Sequence, residues 1–118
     1  MDLVAFVGKD RESWGQITAL VNRMECDNIF LVLGEEARDF PESEKCERIE
    51  VESSASILEL KKEMMEKIKA KIGNEFEVAV SIASGNGKEH MALISALLSV
   101  PVGIRLVVYT KEGVQFLT

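Results

Sequence analysis

The chain has 118 residues, of which 47% are hydrophobic and 29% charged, and a net charge of −6. That length supports one domain with a real core, and no uncharged apolar run approaches the ~18 residues of a membrane span. The acidic balance argues against broad binding to duplex nucleic acid.

Met1-Asp2 leads straight into an apolar run, with no basic leader and no small-residue cleavage site. No signal peptide is expected, and the cytoplasm is the expected compartment. Residues 3–7 are continuously apolar and close on Gly8, which predicts a strand buried on both faces. Ser13-Trp14-Gly15-Gln16 has the form of a capping box. Trp14, Ile17, Val21 and Met24 then recur at helical spacing, so a helix is predicted to about residue 24. A second strand covers residues 29–34. Residues 35–47 are acidic, include Phe40-Pro41 and read as a loop with one helical turn. Residues 48–52 alternate and predict a more exposed third strand.

Ser56 and Glu59 repeat the capping-box signature. Ile57, Leu60, Met64, Ile68 and Ile72 trace one face of the helix that follows, with Gly73-Asn74 as its C-cap. The fourth strand is predicted over residues 77–83 and the third long helix over 89–99, before Pro101. Residues 103–109 and 114–117 form two more strands. The turn between them is too short for a crossover, so they pair as an antiparallel hairpin. Strands alternating with amphipathic helices give a single α/β domain over residues 1–118. The expected fold is a three-layer Rossmann-like sandwich around a mainly parallel six-stranded sheet with a C-terminal antiparallel hairpin.

The segment with the most chemistry is Ser84-Gly85-Asn86-Gly87-Lys88, where the fourth strand turns through glycines into a helix. Such a turn exposes backbone N–H groups at the positive end of a helix dipole and suits an anion such as phosphate. The expected strand order sets the first strand beside the fourth, and ligands in open α/β sheets sit at such a reversal. Two loops then meet there, one with Gly8, Lys9, Asp10 and Ser13, the other with Ser84, Gly85, Asn86, Gly87, Lys88 and His90. These ten residues are the candidate ligand contacts. Amides of residues 85–88 would hold phosphate, Lys88 would pair with it, and Ser84 and Asn86 would hydrogen-bond to it.

Charge supports this placement. Residues 35–52 hold eight acids against three bases, whereas residues 78–118 hold two acids against three bases. Named nucleotide motifs are mostly excluded. A P-loop would need glycine at Ile82 and Ser or Thr at Glu89, and a dinucleotide fingerprint would need glycine at His90. No cofactor is expected. One His and two separated cysteines, Cys26 and Cys46, do not match zinc spacing, so no metal is expected and the thiols read as reduced and structural. Trp14 and Met64-Met65 read as packing residues, Lys9 and Arg11 taken alone as solvated charges, and the acidic run as a solvated loop and edge.

From Ser84 to Met91 the chain resembles the CRISPR-associated Rossmann-fold (CARF) ligand-binding domains, whose Gly-rich turn after the fourth strand ends in a Lys followed by an apolar helix residue. Asn86-Gly87 stands where that family more often has Gly-Thr. The loop from Gly8 to Ser13 holds the place of the family's other ligand loop. The resemblance implies an antiviral-defence protein, a homodimer with a pocket across its two-fold axis suited to cyclic oligoadenylates. It also implies a stand-alone sensor, since neither a helix-turn-helix nor a nuclease segment is read after the hairpin. Two alternatives stand beside this. One is a metal-independent ring nuclease, with Lys88 the best candidate to stabilise developing charge. The other is a partner-binding domain whose Gly-rich turn is purely structural.

Overall fold

The computed structural model describes residues 1–72 and 75–118. Its strands are β1 (Asp2–Val7), β2 (Ile29–Leu33), β3 (Cys46–Glu50), β4 (Glu77–Ser81), β5 (Gly103–Thr110) and β6 (Gly113–Phe116). Its helices are α1 (Trp14–Arg23), α2 (Ile57–Ile72) and α3 (Gly87–Leu98). The strands form one six-stranded sheet in the order β3-β2-β1-β4-β5-β6. All neighbours are parallel except β5 and β6, which form the antiparallel hairpin. This is the α/β, Rossmann-like sandwich that the periodicity predicts.

Burial accounts for the layers. β1 and β2 are buried along their whole length, as their unbroken apolar sequences require. Alternate residues of β1 enter opposite cores. Val4 and Phe6 pack with Leu60, Met64 and Ile68 of α2 and Leu93 and Leu97 of α3. Leu3, Ala5 and Val7 pack with Ile17, Leu20 and Val21 of α1. Trp14 belongs to that second core, edge-on to Phe40 with ring centroids 5.2 Å apart.

Several boundaries differ from the sequence reading by one or two residues, and three of the differences have a clear local reason. β3 begins at Cys46 rather than residue 48, because this register gives every residue of β2 a partner from Ile29–Cys46 to Leu33–Glu50. β4 stops at Ser81, after which the chain turns so that Ser84 reaches the loop after β1. α3 begins at Gly87, two residues early, because Asn86 caps it. The expected C-cap at Gly73-Asn74 lies outside the described residues. Among the described residues, no helix is long and apolar enough to cross a membrane.

The expected capping box at Ser13 does not form. Ser13 has helical backbone angles, and its hydroxyl turns back to Asp10. Gln16 instead reaches β5, donating to Tyr109 O at 2.8 Å and accepting from Tyr109 N–H at 3.2 Å. It supplies the peptide-like partner that β4, already ended, does not. The box at Ser56 forms in part. Ser56 Oγ accepts from Glu59 N–H at 3.3 Å and donates to Glu59 Oε1 at 2.8 Å.

Candidate functional site

β1 lies between β2 and β4, so the sheet reverses direction of growth at the β1–β4 pair. The loops after β1 and β4 meet there through a hydrogen-bonded clasp. Gly8 N–H donates to Ser84 Oγ at 2.8 Å. Ser84 Oγ and Gly85 N–H both donate to Asp10 Oδ1 at 2.9 Å. Ser13 Oγ lies 2.7 Å from Asp10 Oδ2. Trp14 Nε1 closes the far side, donating to Gly8 O at 2.7 Å. Burial disfavours ionisation of Asp10, but the hydrogen bonds from Ser13, Gly85 and Ser84 outweigh it and hold the carboxyl below its ordinary value.

Close approach explains the glycines. A Cβ on Gly8 would stand 2.7 Å from Gly85 Cα. Gly85 has φ +104°, and a Cβ there would meet the Phe6 ring at 2.7 Å. Gly87 needs no such explanation, since among the described residues nothing lies within 4 Å of the place its Cβ would take.

The first turn of α3 is capped reciprocally. Asn86 Oδ1 accepts from Glu89 N–H, and Glu89 Oε1 accepts from Asn86 N–H, both at 2.9 Å. The sequence carries this signature as Asn-x-x-Glu, set among glycines that equally suit a phosphate-binding turn. Two corrections to the expected donor set follow. The amides of Gly85 and Asn86 are taken by Asp10 and Glu89 and are closed to an anion. The Asn86 and Ser84 side chains likewise serve the cap and the clasp. The amides of Gly87 and Lys88 have no partner among the described residues.

The remaining candidates are distributed as follows. Lys9 is exposed at the mouth of a crevice of about 300 Å³ that Gly34, Glu35, Ser53, Asn86 and Glu89 also line. Lys88 extends to the loop after β3, where Nζ donates to Ser53 O at 2.8 Å. His90 Nε2 lies 2.7 Å from Ser84 O. A carbonyl oxygen only accepts, so that nitrogen carries the proton. Arg11 lies 4.5 Å over the Trp14 ring and pairs with Asp39 on the surface.

The acidic wall of the crevice was not singled out from the sequence. Gly34 alone separates Glu35 from the end of β2, the strand next to β1, so Glu35 stands on the same rim. Its carboxylate accepts from Ser53 N–H at 2.8 Å, Ser54 N–H at 3.2 Å and Ser54 Oγ at 2.8 Å. Burial works against its charge, but backbone and Ser54 hydrogen bonds prevail and lower the carboxyl from 4.5 to about 2. The signal that could have found it is positional, since any residue just past a parallel strand beside the reversal point reaches this rim.

A larger cleft, about 780 Å³, opens at the opposite end of the sheet, lined by Cys26, Asn28, Glu44 and Cys46 among others. Both cysteines are free and half-buried, and burial pushes both thiols up, away from the reactive thiolate. Carboxylates of Asp2, Asp27 and Glu75 also gather at that end, within 4.8 Å of one another. The N-terminal ammonium already donates to Asp27 there at 2.7 Å. We therefore place the candidate site at the β1–β4 rim, where open amides and a lysine converge. No family model matches the chain, and no curated protein matches it significantly.

Proposed function

We propose that this chain is a nucleotide-binding regulatory module that seats an anionic ligand at the rim between β1 and β4. The observation that carries the reading is the open pair of amides at Gly87 and Lys88, at the positive end of the twelve-residue helix α3. Lys9 supplies positive charge at the mouth of the adjoining crevice. The clasp through Asp10 fixes the two loops before any ligand arrives, so less ordering cost falls on binding.

The ligand class follows from the resemblance between Ser84–Met91 and the CARF turn. The proposed ligand is a cyclic oligoadenylate, held between two copies of the chain. The crevice volume of about 300 Å³ supports a shared pocket, since it is at the lower bound for ligand sites and suits one small unit of a ring. The module acts in the cytoplasm as a sensor of that second messenger. Binding is favoured over cleavage because Lys88 Nζ and His90 Nε2, the groups best suited to acid–base work, are engaged by Ser53 O and Ser84 O.

Calorimetry with cyclic tetra- and hexa-adenylate, paired with light scattering, tests the reading. The expected result is saturable binding of one ring per two chains by a dimer. A monomer giving no heat with either ring overturns it.

A further inference from the structure

Two oxygens beside Gly34, from Ser53 and Glu89, remain without a hydrogen bond among the described residues once clasp and cap are complete. Ser53 Oγ is buried and has no hydrogen-bond partner among the described residues. Glu89 is only 7% exposed, yet only its Oε1 is used, by the Asn86 amide. Oε2 accepts no hydrogen bond among the described residues. A buried polar atom is costly to leave unpaired, so Ser53 Oγ calls for an explanation. Gly34 stands beside both oxygens. A Cβ there would come within 2.5 Å of Ser53 Oγ and 3.6 Å of Glu89 Oε2. Only glycine lets Ser53 lie so close, and all three residues line the crevice.

The chemistry of that space selects its occupant. Glu35 is not available, because three donors already fill its carboxylate. A divalent cation needs about six or more oxygen ligands, more than Glu89 Oε2, Ser53 Oγ and the exposed Glu36 carboxylate that also lines the crevice can offer together. A phosphate would meet the Glu89 charge. A hydroxyl fits both atoms, giving its proton to Glu89 Oε2 and accepting the proton of Ser53 Oγ. Ser53 can turn about χ1 to meet it without breaking a hydrogen bond.

We infer that Ser53 and Glu89, beside Gly34 on the crevice lining, form a subsite for a ribose hydroxyl of the ligand and select ribo- over deoxyribonucleotides. This rests on the nucleotide-binding reading above. Glu89 follows Gly87 and Lys88 in the first turn of α3, so one nucleotide unit would present its phosphate to the amides and its sugar to this pair. The 2′-hydroxyl, both donor and acceptor, is the group that distinguishes RNA from DNA.

The test is calorimetry with cyclic tetra-adenylate and its all-2′-deoxy counterpart on the parent, Ser53→Ala and Glu89→Gln proteins. Ser53→Ala removes an atom without a hydrogen bond, and Glu89→Gln keeps an acceptor for the Asn86 amide, so both variants fold. The parent is expected to prefer the ribose ring by about ten- to a hundredfold, and each variant to lose most of that preference while binding the deoxy ring as before. Equal binding of both rings by the parent overturns the subsite and leaves the nucleotide reading standing. So does a preference that survives in both variants. Failure of the parent to bind either ring overturns the nucleotide reading and the subsite with it.

Discussion

Gly8 and Gly85 meet backbone to backbone, so close that a Cβ on Gly8 would lie 2.7 Å from Gly85 Cα and 3.0 Å from its amide nitrogen. This contact lets one carboxylate, Asp10, hold both loops at once. The first turn of α3 begins two residues past Gly85, and its Gly87 and Lys88 amides have no partner among the described residues.

Gly8→Ala is therefore expected to destabilise the fold by about 1–3 kcal/mol, because backbone cannot yield as a flexible side chain would. Gly15→Ala is the control. Among the described residues nothing lies within 4 Å of that Cβ, and in α1 the change is expected to stabilise by roughly 0.5–1 kcal/mol. Urea midpoints of the two variants measure both effects.

Acid is expected to weaken the fold in a defined window. The Glu35 carboxyl is lower folded, at about 2, than its ordinary 4.5, so its contribution is complete above pH ~4.5 and is lost as pH falls toward 2. Asp10, also lowered, acts in the same direction. Urea midpoints between pH 5 and pH 2 should fall steadily for the parent and less steeply for Glu35→Gln. An equal slope in the variant would contradict the role given to the Ser53 and Ser54 donors.

Gln16→Ala removes both side-chain bonds to the Tyr109 backbone. The expected cost is about 1–3 kcal/mol. Faster hydrogen exchange at the Tyr109 amide than at Val107 would locate the loss on the stretch of β5 that Gln16 covers.

Asn86→Ala breaks the cap of α3, with an expected cost of about 0.5–2 kcal/mol. Asn86→Asp keeps the acceptor and is expected to retain most of that stability. Thermal unfolding of the two variants separates the cap from any ligand contact.

The course of the chain was legible because its signals are local. Apolar runs at Leu3 and Ile29 and the 3.6-residue stripe from Ile57 to Ile72 each specify an element without reference to the rest. The meeting of the Gly8 and Ser84 loops was legible too, since alternating strands and helices set β1 beside β4. What was hidden is which groups satisfy one another. Gln16 is a plausible capping partner for Ser13 until Tyr109, distant in sequence, supplies a better one. Nothing near Asp10 announces that it will accept from Ser84 and Gly85. The acidic run after β2 looked like solvated surface because its composition says nothing of Glu35 folding back onto Ser53 and Ser54.

The most direct test follows backbone amides of the ¹⁵N-labelled protein as cyclic tetra-adenylate is added. The account expects the Gly87 and Lys88 signals to move most and to saturate together, while those of Gly85 and Asn86, already held by carboxylates, move less. A ring that binds to saturation and leaves the Gly87 and Lys88 signals in place would contradict it.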